Sequence, residues 1–247
     1  MSKQTHAVLL VADISGFTKF MKMHEISLNH AKQIVVRLLK SLIRAAKPPL
    51  KVAELEGDAV FFYAPCTEAN LKKTAEQVKM QIIDLFNSFK KELDTLRKMD
   101  VCTCPACITA GDLRLKQVVH TGEAELEVIN KNEKLFGVDV IVVHRMLKNS
   151  VPSNEYIMMT STAYENFEDF YGIEPRKFRE NFEGIGEMDT NVFFGDDLTN
   201  AQQVPSPELS KPTGWQRFKW KLKIVPPTLL TILGINTIKG NFRNIPV

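Results

Sequence analysis

Apolar positions along this chain alternate between short unbroken runs and longer runs with helical spacing, and that alternation sets the order of elements. Residues 6–13, HAVLLVAD, form a continuous apolar run closed by a carboxylate, which predicts a buried strand. Leu28, Ala31, Ile34, Val35, Leu38, Leu39, Leu42 and Ile43 then recur every three or four residues, which predicts an amphipathic helix. It ends before Pro48-Pro49, because proline lacks the amide hydrogen that the helical ladder needs. KVAELEGDAVFFYAP predicts two short strands joined at Glu56-Gly57-Asp58, and residues 68–98 predict a second amphipathic helix. LRLKQVVH reads as a strand, Thr121-Gly122 as a turn and AELEVI as another strand. LFGVDVIVVHRMLKN opens a third helix, and NFEGIGEMDTNVFFG predicts a late hairpin.

The order strand–helix–strand–strand–helix–strand describes an α+β, ferredoxin-like split βαβ core with additions. A right-handed crossover makes the first two strands parallel, so Asp13 and Asp58 meet at one edge of the sheet. Either alone reads as a solvated turn aspartate. Together, beside Gly16 and Gly57, they read as a divalent-cation site. Magnesium or manganese takes few carboxylates and completes its shell with phosphate oxygens, and two cations could clamp both oxygens of a phosphoryl transfer.

Composition narrows the class without naming a chemistry. The 247 residues are 44% hydrophobic and 25% charged, which excludes disordered and fibrous classes. From Lys211 onward there are seven basic residues and no acidic one, leaving 25 basic against 29 acidic before it. An acidic body argues against nucleic-acid binding and moves interest in anionic partners to the tail. The run Ala7 to Ala12 is too short for a signal peptide, and no stretch reaches the ~20 apolar residues of a membrane span, so a cytoplasmic protein is expected. Three of the four cysteines, Cys102, Cys104 and Cys107, lie together as CTCPAC. In a reducing compartment they are zinc ligands, redox-sensing thiols or small packed residues. Cys66 is placed at the opposite edge by topology, so the fourth zinc ligand would be Asp100, a histidine or another subunit's residue.

VADISGFTKFM resembles the first metal segment of class III nucleotidyl cyclase catalytic domains, and Glu56-Gly57-Asp58-Ala59-Val60 resembles their second. VVHTGE, LFGVDVIVVHRM and GIGEMDTNVFF are similar to three later segments of that class, in order, over about residues 6–195. CTCPAC is further similar to a divergent bacterial subgroup, DUF2652. The resemblance implies Asp13 and Asp58 as metal ligands and Ile14, Gly16 and Phe17 as the backbone that cradles a triphosphate. It implies Glu54 and Lys134 as the base-reading pair and Arg145 as the transition-state arginine. Adenylyl cyclases of this class place lysine then aspartate at the base-reading positions, and guanylyl cyclases place glutamate then cysteine. Glutamate then lysine is neither pattern. A carboxylate accepts from guanine N1–H and its amino group while an ammonium donates to O6, or the two side chains pair with each other. The catalytic asparagine falls on Ile141, and the phosphate-binding lysine of the terminal hairpin falls on Glu183 or Ile185. Losing one such polar contact costs about 10²–10³ in rate. Lys116 stands on the metal edge as a substitute cation or as a solvated strand residue.

The resemblance also implies an antiparallel homodimer that binds a nucleoside triphosphate, with Asp13 and Asp58 of one chain facing Glu54, Lys134 and Arg145 of the other. Two functions follow: cyclisation to a 3′,5′-cyclic nucleotide in signalling, or a catalytically degenerate module that binds nucleotide or metal. Residues 1–200 form the cyclase-like domain, 201–213 a proline-bearing linker, and 214–247 a basic amphipathic tail. In the tail, Phe218, Trp220, Leu222 and Ile224 alternate with lysines, which predicts a strand, with a short interfacial helix as the other reading. Such a tail docks on its own domain or a protein partner, or rests on an anionic membrane surface.

Overall fold

The computed structural model describes residues 3–23, 28–98, 105–130, 132–167, 169–200 and 213–222. The first strand, β1 (Lys3–Ser15), leads through α1 (Phe17–Met23) and α2 (Leu28–Ala45) to the hairpin β2 (Lys51–Glu56) and β3 (Ala59–Cys66). The long helix α3 (Leu71–Lys98) and the short α4 (Pro105–Thr109) return the chain to β4 (Arg114–Ile129). After these come β5 (Asn132–Phe136), α5 (Val138–Arg145), β6 (Tyr156–Thr160) and α6 (Ser161–Tyr164). The hairpin β7 (Arg176–Phe182) and β8 (Gly186–Phe194) leads into α7 (Gly195–Asn200), and residues 214–222 form a further helix, α8.

The sheet order is β2-β3-β1-β4-β6-β8-β7, with β5 paired to β4 beside this path. β3 runs antiparallel to both β1 and β2, so β1 and β2 are parallel with β3 between them, as a split βαβ unit requires. The fold is the predicted α+β arrangement.

β1 is buried on both faces, and its alternation sorts the two cores. Val8, Leu10, Ala12 and Ile14 pack with α2 and α3, while Ala7, Leu9 and Val11 pack with Phe61, Tyr63 and the valines of α5. Asp13 continues the second series, so the period of two aims it at the α5 side of the sheet. Its register partners are Ala59 on β3 and Lys116 on β4.

Two expectations are corrected. The first is the turn at Thr121-Gly122: β4 passes straight through it as one strand of 16 residues. Gly122 serves a close approach instead, because a Cβ there would lie 2.1 Å from the Asp139 carboxyl on α5. The second is the tail, where residues 214–222 are helical. Thr213 and Gln216 close a reciprocal cap: the Gln216 amide donates to Thr213 Oγ1 at 3.2 Å, and the Thr213 amide donates to Gln216 Oε1 at 2.9 Å. Ile224 lies outside the described residues, as do residues 201–212 of the span 201–213 read as a linker.

Candidate functional site

The end of β1 and the β2–β3 turn build the candidate site. Asp13 is held in the sheet by its two register partners, and Asp58 by the turn that immediately precedes Ala59. The Ile14 amide donates to the Asp58 carbonyl at 3.2 Å, which fixes the two segments against each other. Burial, and then the neighbouring Asp13 carboxylate, push the Asp58 carboxyl up from 3.8 to about 6, against the opposing pull of a backbone hydrogen bond and Lys116. Neither aspartate is therefore a freely solvated turn residue.

Lys116 lies inside this pair rather than in solvent. Its Nζ is 3.0 Å from Asp13 Oδ2 and donates to the Leu147 carbonyl at 3.3 Å. A cation beside two crowded carboxylates relieves their repulsion, which is what a bound metal would also do. Gly16 follows with φ +86, a left-handed conformation that glycine adopts without steric cost, and it turns the chain into α1. The amides of Gly16 and Phe17 stand at that bend, and the Phe20 amide donates back to the Gly16 carbonyl at 2.9 Å.

The other predicted residues lie on β2, β5 and α5. Glu54 on β2 and Lys134 on β5 form an ion pair with each other, the second of the two readings made from sequence. Arg145 at the end of α5 pairs with Glu183 in the β7–β8 turn at 2.7 Å, so one of the two positions where the resemblance expects a lysine places a carboxylate against the arginine it expects at the transition state. His144 faces Glu56 at 3.3 Å and the Phe61 ring edge-on at 4.7 Å. Ile141 points outward with 52% of its surface exposed.

Sequence reasoning missed Asp139. Its Oδ1 meets His120 Nε2 at 3.0 Å, and its Oδ2 accepts from the Glu123 amide at 2.7 Å. His120 Nδ1 in turn meets Thr160 Oγ1 at 2.9 Å, and burial pushes the imidazole down from its usual range. A glycine inside a strand pattern signals close backbone approach, and Gly122 was that signal.

The cysteine cluster is only partly described. Cys102, Cys104 and Asp100 lie outside the described residues, whereas Cys107 on α4 sits 3.9 Å from His30 Nδ1. Cys66 pairs in register with His6, at the opposite end of β1 from Asp13. The described residues hold no group of three or more His, Cys, Asp or Glu placed for a metal, so the zinc reading finds no support in them. Two hard carboxylates suit magnesium or manganese, whose remaining positions water and phosphate fill.

The family described as "Protein of unknown function (DUF2652)" matches residues 35–156. Uncharacterized protein Rv2561/Rv2562 of Mycobacterium tuberculosis is 35% identical over 172 residues, which is 70% of this chain and 77% of that protein. The chain belongs to the DUF2652 family. Among solved structures, this DUF2652 protein is similar to the adenylyl cyclase CyaB from Pseudomonas aeruginosa, with a TM-score of 0.60 and 15% identity. That match covers 78% of this chain and 96% of CyaB. A class III adenylyl cyclase-like ATP-binding protein from the same species gives 0.57 and 20% identity, over 68% of this chain and 36% of that one. The guanylate cyclase domain of RhGC from Catenaria anguillulae, in complex with GTP, gives 0.50 and 15% identity, over 77% and 97%. The DUF2652 chain thus has the class III cyclase fold.

Proposed function

We propose that this protein is a divergent class III cyclase-type protein that binds a divalent cation with a nucleoside triphosphate, ATP or GTP. The carrying observation is the carboxylate pair: Asp13 and Asp58 are held together with Asp58 pushed up to about 6 and only one lysine between them. Such a pair binds a divalent cation by shedding its repulsion and its proton.

Asp13 and Asp58 would hold the cation, and the amides of Gly16 and Phe17 at the bend into α1 would face the phosphates, while the Ile14 amide, taken by the Asp58 carbonyl, ties the two carboxylate segments together. When bound, magnesium or manganese neutralises phosphate charge and makes the ribose 3′ hydroxyl easier to ionise. Lys116, paired with Asp13 in this structure, would be released to the triphosphate if Asp13 held the cation. The 3′ oxygen would pass its proton to a solvent water and bond the α-phosphorus. The bond from that phosphorus to the bridging oxygen breaks, releasing pyrophosphate. Arg145 stabilises the charge that builds on the α-phosphate. Glu54 and Lys134, paired with each other in this structure, would have to part to present one acceptor and one donor to a base, a pattern that suits guanine. An antiparallel homodimer brings these three residues from a second copy. Exposed apolar side chains on the α5 side support this: Val128 on β4, and Val138 and Ile141 on α5.

The second reading is a module that binds nucleotide without cyclising it, as the name of one similar structure, a class III adenylyl cyclase-like ATP-binding protein, suggests. Ile141 favours it, since an exposed isoleucine cannot orient a ribose hydroxyl. So does the Arg145–Glu183 pair, which neutralises the arginine the chemistry needs.

Mass spectrometry of products separates the two. The full chain is incubated with ATP, GTP, CTP or UTP under Mg²⁺ and Mn²⁺, with Asp58→Ala as control. A cyclic product lost in the variant establishes the enzyme and names its base. Metal-dependent nucleotide binding with no product from any of the four, in folded dimeric protein, establishes the binding module. No binding of either kind overturns both readings.

A further inference from the structure

Helix α8 is amphipathic in two directions at once. One side is docked: Trp220 is buried against the α2–α3 face with 6% of its surface exposed, and the Arg37 guanidinium lies 4.5 Å from its ring. Arg37 is itself held by Glu92 on α3, and Arg217 donates to the Lys98 carbonyl at the end of α3 at 3.1 Å. These contacts fix which way the helix faces. At 100° per residue, Trp215, Phe218 and Leu222 fall together on the side away from Trp220. Their exposures are 63%, 50% and 58%, and Trp215 stacks on Phe218 at 5.6 Å. Lys219 and Lys221 flank them, with Lys219 5.2 Å from the Trp215 ring.

We infer that this outward face is a docking surface for an anionic phospholipid bilayer. Two aromatic rings and a leucine on one stripe, bordered by lysines, match the boundary between acyl chains and headgroups. Charge selects the partner. The chain from Lys211 onward holds seven basic residues and no acidic one, whereas the preceding 210 carry an acidic excess that an anionic surface repels. Of the two stretches, the tail is the one that such a surface attracts. The carboxylate pair lies on the opposite, α5 side of the sheet, so a docked molecule keeps that face turned away from the lipid.

The test is co-sedimentation of the full chain with vesicles of phosphatidylcholine alone and of phosphatidylcholine with phosphatidylserine, at low and at physiological salt. The chain should sediment with the anionic vesicles, and less at higher salt. The triple variant Trp215→Ser, Phe218→Ser, Leu222→Ser keeps every lysine and should lower partitioning by about tenfold or more, since the apolar stripe that enters the acyl-chain boundary is gone. Lys219→Gln with Lys221→Gln should lower it by about tenfold and flatten the salt dependence. Three outcomes overturn the inference. The full chain stays in the supernatant with anionic vesicles at low salt. Alternatively the triple variant sediments like the wild type, which assigns binding to the basic residues alone and not to the apolar stripe. Or the face mediates self-association, abolished in the triple variant, without any lipid binding.

Discussion

A carboxyl whose pKa rises on folding favours the folded state while it is protonated. For Asp58 that contribution is complete below the unfolded 3.8 and is lost as pH rises through about 6. The side chain is half-buried, so after solvent screening the ionised group costs on the order of 1 kcal/mol. Asp58→Asn should therefore raise Tm by roughly 2–4 °C at neutral pH and leave it unchanged below 3.8, measured by thermal melts across pH. The same group sets ligand binding: Mn²⁺ affinity by calorimetry should fall as pH drops through about 6, because a proton then competes with the metal. Glu183→Gln frees Arg145 from an exposed ion pair, and if the protein cyclises nucleotide, initial rates should rise by up to about fivefold. Asp13, Gly16 and Asp58 were legible because each sits within a few residues of a strand end. Glu183 against Arg145 was not, since 38 residues and the path of the β7–β8 turn decide that contact.

At the scale of elements, Gly122 matters more than its size suggests. Gly122→Ala would drive a methyl group into the Asp139 carboxyl, which cannot swing clear because its own Cβ would lie only 2.6 Å from the new atom. Either α5 shifts outward or the Asp139 bonds to Glu123 and His120 break. A loss of about 1–3 kcal/mol in urea unfolding is expected, with Arg145 displaced along with its helix. The apolar pattern made β1 legible as an unbroken run and α2 and α3 by helical spacing, whereas the short β5 and β6 were not read. Reading a turn at Thr121-Gly122 failed because a glycine bends a chain or admits a neighbour equally well. The tail misled differently. Phe218, Trp220 and Leu222 have the period of a strand, yet Trp215, Phe218 and Leu222 have that of a helix, and the Thr213…Gln216 cap decided between them.

For the whole molecule, the sheet separates two sides with different work. The α5 side carries the carboxylate pair, Arg145 and the exposed apolar residues, and the α2–α3 side carries α8. Val138→Lys places a charge among those apolar residues. If a second copy covers them, sedimentation equilibrium should show the dimer weakened by at least about tenfold, and metal-dependent nucleotide binding should fall in parallel. The separation also decides what light can see. The chain has two tryptophans, Trp215 and Trp220, and both are on α8. Intrinsic fluorescence is therefore blind to the sheet and reports the seating of a single helix. A melt followed by emission should precede the melt followed by circular dichroism if α8 lifts off before the body unfolds. Coincident curves would mean that the Trp220 anchor belongs to the same cooperative unit as the sheet.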